Sequence, residues 1–103
     1  MSHSIYIADD EENIRDLIKS FLKSDGYEVS AFETGDELMA VFDEKPADLV
    51  ILDIMMPGTD GLTLCRKLRE KSSVPIIILT ANDSEYDYVQ GITIGSDDYL
   101  TKP

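Results

Sequence analysis

Five side chains in this sequence have the types and the placement to hold a cation and a phosphoryl group: Asp9, Asp10, Asp53, Thr80 and Lys102. Each stands at the end of a short, strand-like run. Asp9-Asp10 follow Ile5–Ala8, Asp53 follows Leu49–Leu52, Thr80 follows Pro75–Leu79, and Lys102 follows Tyr99–Thr101. Singly, each has an ordinary explanation. Acidic residues are favoured at a helix N-terminus, Asp suits a turn, Thr is a strand former, and a Lys near a chain end is solvated. Their shared position at strand ends makes coincidence the weaker account. Three carboxylates brought together resist joint ionisation. A hard divalent cation resolves that conflict, and Mg²⁺ favours a few carboxylates, with waters completing an octahedron. Phosphate oxygens suit the remaining positions. Lys102 adds a point charge for a phosphoryl group, and Thr80 adds a hydroxyl donor. A carboxylate nucleophile, a metal, a lysine and a hydroxyl are the parts needed to form an acyl phosphate on Asp53.

These residues need a scaffold that brings strand ends together, and the sequence pattern supplies one. Ile14, Leu17, Ile18, Phe21 and Leu22 recur at helical spacing after the first strand and mark one face of a helix. Gly26 suits the C-terminal cap of that helix. Tyr27–Phe32 reads as a second strand. Thr34 with Glu37 fits a capping box, and Leu38, Val41 and Phe42 give the next helix a buried stripe that ends at Pro46. Leu49–Leu52 is continuously apolar, as expected of a strand covered on both faces. Pro57-Gly58 makes a turn before a third helix with Leu62, Cys65 and Leu68. Pro75 can only enter the next strand. Ser84 with Asp87 starts a fourth helix through Val89 and Ile92, stopping at Gly95, and Tyr99–Thr101 is a fifth strand. Strict β-α alternation predicts an α/β fold with a parallel sheet, helices on both faces and right-handed crossovers. In such sheets the site lies at the C-terminal strand ends, near the point where strand order reverses. With the order 2-1-3-4-5, strands one and three are neighbours roughly 4.8 Å apart, so Asp9, Asp10 and Asp53 share one pocket.

Composition narrows the function classes. A chain of 103 residues with 43% apolar residues is enough for one domain with a core. The single cysteine, Cys65, excludes an internal disulfide and favours a reducing, cytoplasmic setting. No apolar run reaches membrane-spanning length, and the N-terminus has no basic region followed by an apolar stretch, so a soluble, unexported chain is expected. The net charge of -12 argues against direct nucleic-acid binding by this segment. It suits a metal cation or a basic partner surface.

Four stretches resemble the receiver domain of two-component response regulators: IADDEE after the first strand, LVILDIMMPGTDGL around Asp53, PIIILTA ending at Thr80-Ala81, and GSDDYLTKP at the C-terminus. The spacing from Thr80 to Tyr99 to Lys102 matches as well. The resemblance covers the whole chain and implies a flavodoxin-like, doubly wound receiver fold; the strand order above is partly its contribution. It implies that Asp53 is the phosphoacceptor, taking its phosphoryl group from a phosphohistidine of a sensor histidine kinase. It implies that Asp10 is a direct Mg²⁺ ligand with Asp9 acting largely through water, that Asp53 shares the metal, and that Met55 gives its backbone carbonyl. Mn²⁺ is an alternative ion. Thr80 then contacts the phosphoryl oxygen, Lys102 pairs with it, Tyr99 is the switch aromatic, and Ala81 leaves room for that ring. The protein so implied is not an enzyme in the usual sense but a phosphoacceptor switch that promotes its own phosphorylation and dephosphorylation.

The wording of DIMMPGTDGLTLCRKLR and GITIGSDDYLTKP is most similar to the OmpR/PhoB regulators, which act on DNA through a C-terminal winged-helix output domain and so control transcription. Residues 1–103 are then one receiver domain with no output domain, and the chain stops at Pro103, before the family's fifth helix. That helix covers one face of the sheet and contributes to the family's homodimer surface. A chain without it is expected to bury the bared face against a second copy, to displace an element, or to be marginally stable, the alternative being a polypeptide longer than these residues. Three rival readings compete. A flavin carrier of the same topology needs a phosphate-cradling first loop, which Asp9-Asp10-Glu11-Glu12 opposes by charge. A haloacid-dehalogenase-like phosphatase needs a carboxylate two residues after the nucleophile, where Met55 stands. A degenerate receiver used only for binding would not need the full set of Asp10, Asp53, Thr80 and Lys102.

Overall fold

The computed structural model describes residues 3–54, Met56, Gly58 and residues 61–80, together with the backbone of Asp98–Thr101. The described elements run β1 (Ser4–Ala8), α1 (Glu12–Ser24), β2 (Glu28–Phe32), α2 (Gly35–Glu44), β3 (Leu49–Asp53), α3 (Gly61–Lys71), β4 (Ile76–Thr80) and β5 (Asp98–Thr101). The helix expected between Ser84 and Gly95 lies outside the described residues, as do Met55, Ala81 and Lys102; of Tyr99 only the backbone is described.

The strands form one parallel sheet in the order β2-β1-β3-β4-β5, as the alternating pattern and the family resemblance led us to expect. Successive side chains on a strand point to opposite faces. Tyr6, Ala8, Val50, Leu52, Ile76 and Ile78 therefore fall in one apolar cluster with Leu38 and Phe42 of α2 and Leu64, Cys65 and Leu68 of α3. Ile5, Ile7, Ile51 and Leu79 fall in the other, with Ile18 and Leu22 of α1 packed against them. This division explains why β3 and β4 read as unbroken apolar runs: both faces are covered. Pro75 enters β4 as expected, and its carbonyl accepts a hydrogen bond from the Val50 N–H.

Local signals place the helix ends. At the start of α2 the Thr34 hydroxyl accepts from the Glu37 N–H at 3.3 Å and lies 3.3 Å from the Glu37 carboxylate, to which it donates. At the end of α1, Gly26 takes φ +93°, its N–H bonds to the Lys23 carbonyl, and the Tyr27 N–H bonds to the Leu22 carbonyl. That pair of bonds is a Schellman motif, and it turns the chain directly into β2.

The apolar face of α1 is only partly covered: Leu17 is 55% and Phe21 68% exposed, and no residue of α1 is fully buried. The stripe is two rows wide. Ile18 and Leu22, one turn apart, reach the sheet, whereas Leu17 and Phe21, in the neighbouring row, do not. Val41 of α2 is likewise 38% exposed while Leu38 and Phe42 beside it are buried.

Candidate functional site

Parallel registration brings the acidic residues together. Ala8 pairs with Leu52 across β1 and β3, so one step further Asp9 and Asp53 stand side by side at the strand ends. Asp53 pairs with Leu79 of β4, and the next residue of β4 is Thr80. Thr80 in turn pairs with Thr101 of β5, which immediately precedes Lys102. Thus strand pairing alone gathers Asp9, Asp53 and Thr80 at one edge of three adjacent strands.

The carboxylates converge. One oxygen each from Asp9, Asp10, Glu11 and Asp53 lie within 4.8 Å of one another. Asp9 and Asp53 are buried, and Asp10 and Glu11 are exposed, so the cluster has a floor inside the protein and a mouth toward solvent. The loop is held locally. The Asp9 carboxylate accepts from the Glu11 N–H at 2.8 Å, the Asp9 N–H donates to the Phe32 carbonyl, and the Arg15 guanidinium donates to the Asp9 carbonyl at 2.8 Å. Beyond β3, the Ile54 N–H bonds to the Leu79 carbonyl and the Gly61 N–H to the Ile54 carbonyl, fixing the chain as it leaves Asp53.

Thr80 is fully buried, and its hydroxyl oxygen has no hydrogen-bond partner among the described residues. A buried hydroxyl in that condition is costly, and a ligand oxygen would relieve the cost. Four like charges in so small a space likewise fit a hard, oxygen-seeking cation, since nothing else in the donor set favours a softer metal.

Of the residues singled out in the sequence, the structure brings Asp9, Asp10 and Asp53 into one cluster, with Thr80 on the strand beside Asp53. Met55, Ala81, Lys102 and the Tyr99 ring lie outside what it describes. Two residues escaped the sequence reading. Glu11 reads in the sequence as part of an acidic helix start, and its place in the cluster goes with the bond from its N–H to the Asp9 carboxylate. Arg15 carried no such signal, since its guanidinium reaches back six residues to the Asp9 carbonyl, a separation that no helical spacing marks.

The chain matches the response regulator receiver domain family over residues 5–103. It is 50% identical over 103 residues to the regulatory protein VanR of Enterococcus faecium, covering 100% of this chain and 45% of that protein. It thus spans less than half the length of that relative. Among solved structures it is similar to response regulator TrrA of Thermotoga maritima in complex with Mg²⁺–BeF, at 39% identity, TM-score 0.85 and coverage of 100% and 88%. It is also similar to DrrB of Thermotoga maritima, an OmpR/PhoB homologue, at 32% identity, TM-score 0.88 and coverage of 100% and 46%. The chain belongs to the response regulator receiver domain family and is a receiver domain of two-component signalling. The flavin-carrier and phosphatase readings fall away with that match. The likeness to OmpR/PhoB regulators read from the residues around Asp53 agrees with the match to DrrB. No helix among the described residues is long and apolar enough to cross a membrane.

Proposed function

We propose that Asp53 accepts a phosphoryl group from a phosphohistidine of a sensor histidine kinase. The observation that carries this reading is the buried Asp53 carboxylate, set within the acidic cluster and beside the buried Thr80 hydroxyl. An Asp53 carboxylate oxygen attacks phosphorus, a P–O bond forms, the P–N bond to the donor imidazole breaks, and its electron pair stays on that nitrogen. Asp9, Asp10 and Asp53, with the Met55 carbonyl, are the groups that would hold Mg²⁺, or Mn²⁺ in its place. Such a cation supplies charge neutralisation for the carboxylates and for the phosphoryl oxygens. Burial of Asp53 limits competing water. Thr80 donates its hydroxyl to a phosphoryl oxygen, and Lys102 pairs with another.

The switch follows from the same donors. As the Thr80 hydroxyl moves toward the acyl phosphate it vacates space, Ala81 leaves that space open, and the Tyr99 ring turns into it. Two states with different contacts are what a switch requires. The domain in this reading is a phosphoacceptor that promotes its own phosphorylation and dephosphorylation, working in the cytoplasm. In the parent protein it governs a DNA-binding output domain and so transcription. The match to VanR over 45% of that protein's length and the likeness to DrrB support this wider role. The test is intact mass after incubation with Mg²⁺ and a small phosphodonor. A hydroxylamine-labile phosphoryl adduct is expected on the parent and none on Asp53→Asn; the same adduct on the variant would place the chemistry elsewhere.

A further inference from the structure

We propose that Glu11 is a fourth acidic member of the cation site and sets its affinity from the solvent side. The inference rests on the reading of this cluster as a divalent cation site, and it adds a residue to the three carboxylates named above. Glu11 occupies the N-cap position of α1, yet its side chain makes no capping bond to the helix. One of its carboxylate oxygens instead lies within 4.8 Å of an oxygen of each of Asp9, Asp10 and Asp53. Its placement is built rather than incidental. The Asp9 carboxylate holds the Glu11 N–H at 2.8 Å, and the Glu11 carbonyl accepts from the Arg15 N–H at 3.0 Å.

The hydration of the ion decides what a further carboxylate does. Asp9 and Asp53 form the buried floor, while Glu11, with Asp10, stands at the mouth. Mg²⁺ gives up its waters reluctantly and keeps several of them in a protein site. Glu11, added to carboxylates already assigned as direct ligands, therefore serves by accepting hydrogen bonds from coordinated water and by charge, without displacing Asp10 or Asp53. With no cation present the same charge repels its three neighbours. Glu11 should thus favour the loaded state and disfavour the empty one. A capping or purely structural residue would act in the opposite sense on the empty protein.

The experiment compares the parent chain with Glu11→Gln, Glu12→Gln and Asp53→Asn, reading Mg²⁺ affinity by calorimetry and metal-free thermal midpoints. Glu12 is the control, an exposed acid one residue on that lies outside the cluster. Glu11→Gln should weaken Mg²⁺ about 3–10-fold, from the loss of one charge at this range in a screened, solvated setting. Its metal-free midpoint should equal or exceed that of the parent. Glu12→Gln should stay within about twofold, since a charge farther off is screened. Affinity of Glu11→Gln matching the parent or the Glu12 variant would overturn the inference while leaving the cation site standing. Weaker affinity with a lowered metal-free midpoint would assign Glu11 a structural role and overturn it as well. A parent that binds no Mg²⁺, or binds it as well after Asp53→Asn, would instead sink the reading of the cluster as a cation site, and this inference with it.

Discussion

Gly61 lies against the backbone of Asp53: a Cβ on Gly61 would stand 2.3 Å from the Asp53 carbonyl oxygen and 2.9 Å from the Ile54 Cα. Both neighbours are main chain, so neither can rotate away. The first turn of α3 is thereby clamped to the end of β3, and the Gly61 N–H bonds to the Ile54 carbonyl across the same contact. Gly61→Ala should force the two segments apart. Overpacking of this kind costs about 1–3 kcal/mol. Urea denaturation should show that loss. Because the displaced segment carries Asp53, phosphorylation by a small donor should slow as well. A variant as stable as the parent would mean that α3 can shift without strain.

Tyr6 ties stability to alkaline pH. Its ring is buried edge-on between Phe32 and Phe42, at centroid distances of 5.6 and 6.3 Å, and its hydroxyl donates to the Lys45 carbonyl at 2.5 Å. Burial pushes the Tyr6 phenol above its ordinary value of 10.0. The unfolded chain therefore deprotonates first. The contribution of Tyr6 is fully present below pH about 10 and is lost as pH rises through the folded-state value. Tyr6→Phe should be less stable near neutral pH by about 1–2 kcal/mol, since the Lys45 carbonyl loses its donor. The gap between the two chains should narrow as pH climbs above 10, in denaturation series run at matched pH. A gap that stays constant would show that the Tyr6 proton is not linked to folding.

Much of this architecture was legible because short apolar runs alternate with segments of helical period along the chain. The runs Leu49–Leu52 and Ile76–Leu79 could only be strands covered on both faces, and the two apolar clusters bear that out. The site was legible for a related reason. A parallel sheet gathers strand ends, so Asp9, Asp53 and Thr80 had to meet once the strands and their order were assigned, the order coming partly from the family resemblance. What the sequence hid depends on side-chain direction within a turn. Glu11 joins the cluster where the Asp9 carboxylate holds its N–H two residues on, and no periodicity carries that bond. Leu17 and Phe21 match the apolar period of α1, but a period does not say which row of a stripe reaches the sheet.

Thr80→Val should separate stability from signalling. The Thr80 hydroxyl is buried without a partner among the described residues, so replacing it with a methyl of similar size removes a desolvated polar group. The unphosphorylated variant should be as stable as the parent, or more stable by up to about 1 kcal/mol. The coupling proposed above should vanish. NMR of the Tyr99 ring, with and without a beryllofluoride mimic of the acyl phosphate, should show a response in the parent and none in the variant. A full response in the variant would detach Tyr99 from Thr80.

Mg²⁺ should stabilise the fold in a way that divides the carboxylates by role. Asp9 and Asp53 are buried beside one another, with Asp10 and Glu11 within 4.8 Å, so the metal-free native state carries repulsion that the unfolded chain does not. A cation that binds only the native state adds about 2.7 kcal/mol at a hundred times its Kd. Thermal midpoints should therefore rise on adding Mg²⁺ and fall back with a chelator. Asp53→Asn should raise the metal-free midpoint, by relieving repulsion, and erase most of the Mg²⁺ response. Asp10, at the exposed mouth, is assigned as the direct ligand, whereas the Asp9 carboxylate already accepts from the Glu11 N–H at 2.8 Å. An Asn can keep that last bond through its carbonyl oxygen. Asp10→Asn should accordingly weaken Mg²⁺ more than Asp9→Asn does. Calorimetric titration giving the reverse order would make the buried carboxylate the ligand and the exposed one its accessory.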